Sequence, residues 1–265
     1  MSRINWRTFP YQREHATVMS FGAGVQTTAL AILAVQGKLD PRPDFAVFAD
    51  TGGERPETYE HIYRFSEWLA ERGLPLHIAR QRIMPLEEWV LTRSPSIPVF
   101  MTPNARGRRQ CTVEWKIRPI YYYIRYKLAI RTFDMQIGIS SDEIMRMKPA
   151  RPKYVTNSWP LVDMGLSRTD CFDIIRKAGI KSAGKSACFF CPYQDGKRWV
   201  DTRRRYPDLW ARAIALEDTI NKRFAEKGDS RQAFLTKLRV PLRMLGEEIP
   251  IEDLEGEECE GYCFV

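Results

Sequence analysis

Ser20-Phe21-Gly22-Ala23-Gly24-Val25-Gln26-Thr27-Thr28 separates an apolar β-type run, Ala16-Thr17-Val18-Met19, from a helix-type run, Ala29-Leu30-Ala31-Ile32-Leu33-Ala34. Small residues at a strand-to-helix turn let backbone N–H groups come close to a phosphate. The helix that follows aims its positive dipole end at the same point, and Thr27 and Thr28 add hydroxyl donors. The segment reads as a nucleotide-phosphate loop with Ser20, Gly22, Gly24, Gln26, Thr27 and Thr28 as contact residues. It is not a P-loop, because no Gly-Lys-Ser/Thr ending places a lysine on a γ-phosphate. It also fails the Gly-x-Gly-x-x-Gly fingerprint, since Thr27 stands where the third glycine belongs. Taken alone, such a segment is equally compatible with a plain tight turn.

A second segment points the same way. Phe45-Ala46-Val47-Phe48-Ala49 has the pattern of a buried strand and ends in Asp50-Thr51-Gly52-Gly53-Glu54-Arg55-Pro56-Glu57-Thr58. Ligands of open α/β sheets sit at strand carboxyl ends. An acid about one βαβ unit after a phosphate loop can reach a ribose hydroxyl, which makes Asp50, Thr51 and Gly52 nucleotide candidates. The competing reading is that Asp50 caps the helix starting near Pro56.

Further along, Thr58 to Arg72 is helical with Ile62, Phe65, Trp68 and Leu69 on one face, and Leu74 to Ala79 is a third strand. Glu87 to Leu91 is a short helix. Arg93 to Gln110, rich in Pro, Ser, Arg and Asn, reads as a mobile surface loop. Lys116 to Ile130 is aromatic and helical, Asp134 to Ile139 is a fourth strand, and the chain from Trp159 onward is helical and irregular. The alternation predicts an α/β fold: a parallel, Rossmann-like sheet with helices on both faces, followed by a smaller helical C-terminal region. The expected division is residues 1–158 as nucleotide domain and 159–265 as a region with the cysteine site and a flexible tail. A chain of 265 residues with 44% hydrophobic content is ample for such a core. No apolar run reaches transmembrane length and the first residues lack a secretory h-region, so the expectation is a cytoplasmic protein without a membrane partner. Forty-one Lys and Arg against 33 Asp and Glu leave a charge of +8, which suits a polyanionic partner such as tRNA or DNA, or a positive field that attracts ATP.

Six cysteines carry the next layer: Cys111, Cys171, Cys188, Cys191, Cys259 and Cys263. Without an export signal their thiols are expected reduced. Cys188-Phe189-Phe190-Cys191-Pro192 is a C-x-x-C followed by proline; on a tight turn it can hold one metal centre, with distant ligands completing the site. On spacing alone zinc, an iron–sulfur cluster and a redox dithiol all remain open. Ile137-Gly138-Ile139-Ser140-Ser141-Asp142-Glu143-Ile144-Met145-Arg146 follows the fourth strand toward the same edge as the phosphate loop. There Arg146 can neutralise phosphate charge, and Asp142 or Glu143 can hold Mg2+, which takes oxygen ligands. The alternative is a helix start with acids on its positive end and Arg146 in a surface pair. Basic residues cluster at Arg106, Arg108 and Arg109 and again from Lys197-Arg198-Trp199 to Arg203-Arg204-Arg205-Tyr206; arginine interleaved with aromatics suits phosphate contact plus base stacking.

The phosphate loop resembles the PP-loop of ATP pyrophosphatases and phosphoadenylyl-sulfate reductases, the adenine nucleotide alpha hydrolase superfamily. That loop runs Ser-Phe-Ser-Gly-Gly-Lys-Asp-Ser-Thr; here Gly22, Ala23, Val25 and Gln26 replace its Ser, first Gly, Lys and Asp. Asp50-Thr51-Gly52 before Pro56-Glu57-Thr58 resembles the family's adenosine-holding motif. Cys111-Thr112-Val113-Glu114-Trp115-Lys116-Ile117-Arg118-Pro119 resembles its Cys-Thr segment before Lys-Ile-x-Pro, and Gly138 to Arg146 its active-site strand end. The resemblance implies a HUP-type sheet, ATP or a related adenine nucleotide, and a [4Fe–4S] cluster on Cys111, Cys188 and Cys191 with Cys171 as fourth ligand. If Cys171 is instead a core thiol, one iron stays open. Glu258-Cys259-Glu260-Gly261 loosely resembles the Glu-Cys-Gly tail of sulfonucleotide reductases, which would make Cys259 a nucleophile. Three functions follow from the resemblance. One is ATP-dependent adenylylation and sulfur transfer to a nucleic acid or nucleoside, with a sulfur donor. The second is sulfonucleotide reduction with a thioredoxin-like reductant. The third is a nucleotide- and cluster-dependent nucleic-acid-binding sensor.

Overall fold

The computed structural model describes residues 10–181, 184 and 186–245; Cys259 and Cys263 lie outside these. In chain order the elements are β1 (Arg13–Ser20), α1 (Val25–Val35), β2 (Phe45–Asp50), α2 (Pro56–Ala70), β3 (Leu76–Arg80), α3 (Leu86–Thr92), β4 (Phe100–Met101) and β5 (Ala105–Arg106). A helical stretch follows whose centre is α4 (Arg118–Tyr122), flanked by wider π-type turns at Thr112–Ile117 and Tyr123–Lys127. Then come β6 (Ile130–Ile137), a 3-10 turn at Ser141–Arg146, β7 (Val155–Ser158), α5 (Pro160–Asp163), α6 (Arg168–Lys177), α7 (Gly196–Arg205), α8 (Pro207–Glu226) and β8 (Ala233–Phe234). They form two compact units that interleave along the chain. The first takes Met1–Ala49, Glu57–Ala79 and Ile117–Ser186; the second takes Asp50–Pro56, Arg80–Lys116 and Ala187–Val265.

The first unit is built on a five-stranded sheet of order β3-β2-β1-β6-β7. The β1–β2, β1–β6 and β6–β7 pairings are parallel, with Val18 opposite both Phe45 and Met135. Period-two alternation explains why both faces are covered. Met19, Ala46 and Phe48 turn to one face, where they meet α1, α2 and α6. Ala16, Val18, Phe45 and Val47 turn to the other, against Ile120 and Ile124 of the aromatic helical stretch. Nearly every residue of α1 is buried, as its unbroken apolar run requires. Helix α6 starts with a capping box, Ser167 and Asp170 exchanging hydrogen bonds. The α/β expectation with helices on both faces holds. Two details were not foreseen: β6 begins at Ile130 rather than near Asp134, and Val155–Ser158 adds a fifth strand.

The second unit packs α3, α7 and α8 with a three-stranded sheet of order β5-β4-β8. Here the expected mobile loop over Arg93 to Gln110 is corrected. Ile97, Val99, Phe100 and Met101 are buried core residues, and Phe100 pairs with both Arg106 and Phe234. The prolines and arginines around them mask an apolar alternation too short to register as a strand. Helix α8 presents Leu209, Ala213, Leu216, Glu217 and Ile220 to the core, a 3.6-residue stripe interrupted by one acid.

That acid has a structural role. Glu217 is 3% exposed, and its two carboxylate oxygens accept from the Leu235 N–H at 2.7 Å and the Leu242 N–H at 2.8 Å. Burial pushes its pKa up to about 7, against the pull of those two amides. The folded value lies above the ordinary one, so the folded state holds the proton more tightly. Stability is therefore greatest below the ordinary carboxyl range and falls as pH rises through about 7, by on the order of 3 kcal/mol. In urea unfolding at pH 5 and pH 8.5, Glu217→Gln is expected to lose this pH difference. It should also lie about 1–3 kcal/mol below the native chain at pH 5, because one buried amide loses its acceptor. An unchanged pH dependence would contradict the assignment. Among the described residues no helix is long and apolar enough to cross a membrane.

Candidate nucleotide-phosphate site and cysteine cluster

In the first unit the sheet changes direction of growth between β1 and β6, with β2 and β3 on one side and β7 on the other. Such a switch point is where open α/β sheets leave a crevice for ligands, and the loops after β1 and β6 border it. The Phe21 N–H donates to the Val47 carbonyl at 2.9 Å, carrying the chain off the end of β1. The Gly22 N–H donates to Thr27 Oγ1, and Thr27 Oγ1 donates to the Gly24 carbonyl, both at 3.2 Å. These bonds fold the loop onto the first turn of α1. Ala23 sits at φ +56°, in the left-handed region, where a non-glycine residue costs about 1–2 kcal/mol. Gly24 occupies the N-cap of α1 with no side chain to offer, and the first turn holds no acid. Its first amides thus have no cap and no acid within their own turn.

Gly138 fixes how the two loops meet. A Cβ there would lie 2.7 Å from Thr27 Cγ2 and 3.1 Å from the Thr27 Cα and N. Only glycine lets the β6 loop close against the start of α1. Across this contact Gln26 Nε2 donates to Glu143 Oε2 at 3.1 Å, and Arg146 pairs with the same carboxylate oxygen. Arg146 is buried, and its Nε has no hydrogen-bond partner. A buried donor left unspent is a capacity for an acceptor. The other predicted groups have protein partners. Asp142 Oδ1 accepts from the Arg168 N–H at 3.0 Å, at the start of α6. Burial pushes the Asp142 pKa up, but hydrogen bonds from Ser140, its own amide and the Arg168 amide outweigh it and hold the carboxyl below the usual range. Thr28 Oγ1 lies 3.3 Å from His61 Nε2, and burial lowers the His61 pKa against a backbone hydrogen bond that raises it. Ser20 ends β1, in register with Val47 and Ile137.

In the second unit Asp50 Oδ1 accepts from the Gly52 N–H and Oδ2 from Arg80 Nε, both at 2.8 Å. These bonds make an Asx turn and an ion pair in place of the helix cap considered from sequence. Thr51 Oγ1 accepts from the Gly53 N–H and lies 3.1 Å from Cys188 Sγ. The Gly53 carbonyl accepts from the Phe189 N–H at 2.7 Å, so the strand-end motif and the C-x-x-C turn are joined. Within that turn the Cys191 N–H donates to the Cys188 carbonyl at 3.0 Å, and Gln194 ties back to the Phe189 carbonyl at 2.7 Å. The Cys111 N–H donates to the Ser96 carbonyl. Burial pushes the Cys188 thiol up to about 12; the Glu54 charge adds to this, while Lys116 and the Thr51 hydrogen bond oppose it. Cys111 and Cys191 both pack against the same apolar cluster as Cys188, Phe189 and Phe190.

Cys171 belongs to the core of the first unit, on α6 among α1 residues. Its thiol is pushed up to about 12 by burial and by the Asp142 and Asp170 charges. None of the four described cysteines forms a disulfide. Among the described residues no three His, Cys, Asp or Glu side chains converge as ligands of a single metal ion do. Sequence reasoning left Asp142 and Glu143 undecided and gave Glu54 and Lys116 no role beside the Cys188 thiol. The i, i+3 spacing of Glu143 to Arg146 was the available signal for the first; the other two are recruited only by folding.

No family model matches the chain, and no curated protein does. Among solved structures, the phosphoadenylyl-sulfate (PAPS) reductase from Candida auris in its phosphate complex is 15% identical. The match covers 67% of this chain and 77% of that one, with a TM-score of 0.43. The U34-tRNA thiolase NcsA from Methanococcus maripaludis with its [4Fe-4S] cluster is 14% identical. It covers 83% of this chain and 74% of that one, also with a TM-score of 0.43. Similarity of this degree leaves function to be argued from the residues themselves.

Proposed function

We propose that the Ser20–Thr28 loop binds the phosphates of ATP and that the protein uses it to activate a nucleic acid or nucleoside for sulfur transfer. An oxygen of the acceptor attacks the α-phosphorus, the α–β bridging bond breaks, and pyrophosphate leaves. A sulfur nucleophile from a donor then takes the place of the adenylylated oxygen, which departs with AMP. The observation that carries the reading is the closure of Gly138 on Thr27 at the sheet's switch point, beside an uncapped helix start and a buried arginine with an unspent N–H. In this chain the loop's own lysine is replaced by Val25, and Arg146 supplies the positive charge from the neighbouring loop. Glu143 keeps that guanidinium paired until the more highly charged phosphates arrive. Asp142 and Glu143 remain the candidates for Mg2+, with their present partners as competitors.

The soft thiolates Cys111, Cys188 and Cys191 fit a [4Fe–4S] cluster better than a single zinc ion, since each would bind a different iron and they need not converge on one point. With Cys171 in the first unit's core, one iron is left open, and the cluster would supply a place to hold sulfide. The chain's own part is to seat the turn on Gly53 and Thr51 and to shield it with Phe189 and Phe190. The test is incubation of anaerobically purified protein with Mg2+-ATP or adenylyl sulfate, with and without tRNA or single-stranded DNA. Pyrophosphate and AMP that depend on nucleic acid are expected. Sulfite without pyrophosphate would establish the reductase reading instead, and nucleotide binding without turnover the sensor.

A further inference from the structure

The segment from Ile97 to Cys111 places three guanidinium groups on the surface of the second unit. Arg106 and Arg108 are exposed and Arg109 is half-buried. Among the described residues none of the three pairs with a carboxylate, whereas Arg55, Arg212, Arg231 and Arg243 of the same unit all do. Two of them instead lie on rings. The Arg106 guanidinium carbon stands 5.3 Å from the Phe100 ring centre and 5.5 Å from that of Tyr193, and Arg109 stands 5.5 Å from the Tyr193 ring. Arg106 also hydrogen-bonds the Tyr193 side chain; a guanidinium stacked on a ring uses its face and keeps its remaining N–H edges for an anion.

The run is anchored at both ends. The Gly107 N–H donates to the Val99 carbonyl at 2.8 Å, and the Cys111 N–H to the Ser96 carbonyl at 2.9 Å. A Cβ at Gly107 would lie 3.0 Å from the Ile97 carbonyl oxygen, so this position is held by close approach to buried backbone. Three cations without a carboxylate partner, on a segment whose backbone is tied to the buried Ser96 and Val99, lose little backbone entropy when an anionic chain docks.

We propose that Arg106, Arg108 and Arg109, with Tyr193 between them and the C-x-x-C turn, form a docking surface for single-stranded nucleic acid. The unpaired cations match a polyanion whose charges repeat along a chain. The half-buried Tyr193 ring carries Arg106 and Arg109, and guanidinium planes held on a ring can stack an unpaired base, which a duplex or an acidic peptide does not offer. As the acceptor's docking surface it rests on the sulfur-transfer reading, but binding is measured without ATP, so the surface and the reaction fail separately.

The test is fluorescence anisotropy of the full chain with a labelled 20-nucleotide single strand, over a salt series. Each phosphate contact to a single strand contributes about −0.7 to the log–log salt slope. The triple variant R106Q/R108Q/R109Q should therefore make the slope about 2 shallower and weaken binding at least about tenfold at moderate salt. The control K38Q/K127Q/K177Q removes the same charge from exposed positions of the first unit and should leave both nearly unchanged. Tyr193→Leu should weaken binding about tenfold with the salt slope kept, as loss of stacking demands. Equal losses in the two triple variants would reduce the effect to net charge and overturn the proposal. So would a duplex that binds more tightly than the single strand, or displacement of the strand by polyglutamate at equal charge concentration. A variant that fails to fold is identified by its thermal midpoint, and the single substitutions R106Q and R108Q, both at exposed positions, then carry the test.

Discussion

Gly138→Val is expected to weaken ATP binding severely and to lower the thermal midpoint by several degrees. The cause is local. The new Cβ would meet the Thr27 Cα and N, which are backbone atoms of the first turn of α1 and cannot rotate aside as a side-chain tip can. The loop after β6 has to move outward, taking with it Glu143, its bond to Gln26, and Arg146. Overpacking of this kind costs about 1–3 kcal/mol. Affinity for ATP should fall by about 100-fold or more, because the buried guanidinium leaves its place. Gly24→Ala separates fold from ligand. Its Cβ would enter open space and its backbone is ordinary extended chain, so stability should change by less than about 1 kcal/mol. If phosphate approaches this turn, ATP affinity nonetheless drops about tenfold or more. Calorimetric titration of both variants decides the matter: a Gly24→Ala protein that binds ATP as tightly as the native chain means that no phosphate sits at this turn.

The cysteines give the second large effect. Cys188→Ser, Cys111→Ser and Cys191→Ser should each reduce iron and acid-labile sulfide to near background after anaerobic purification, with loss of the brown colour. Cys171→Ala should keep its iron. Its cost is the removal of a buried sulfur from the core beside α1, about 1–2 kcal/mol in urea unfolding. The asymmetry follows from where the thiols pack: three against one apolar cluster of the second unit, one inside the other unit. Loss of iron in Cys171→Ala to the same degree would restore a four-cysteine set. Zinc in the native chain in place of iron would sink the cluster.

Much of the first unit was legible because its signals are local. Phe45 to Ala49 is apolar at every position, which only a strand buried on both faces requires, and the Ser20–Thr28 turn has small residues where a helix start must stay open. The alternation of such runs with helices implies a parallel sheet, while the strand order came only with the fold. The Ile97–Met101 segment was misread for an equally physical reason. Its apolar run is interrupted by Pro98 and followed by arginines, and what makes it core is pairing with Phe234, more than a hundred residues later. Glu217 was invisible for the same reason, since its acceptors' partners lie on a segment that only folding brings back to α8.

The sequence alone determined the parallel sheet, the small-residue turn after β1 and the set of thiols, because backbone sterics and residue chemistry at each position leave little choice. Only the tertiary structure decided how those parts are used. It closed Gly138 on Thr27, gave Glu143 to both Gln26 and Arg146, and packed Cys171 in the first unit's core. It also interleaved the two units in a way that no linear boundary expresses. Each of these depends on contacts between residues far apart in the chain, whose pairing is fixed by packing and not by any local pattern.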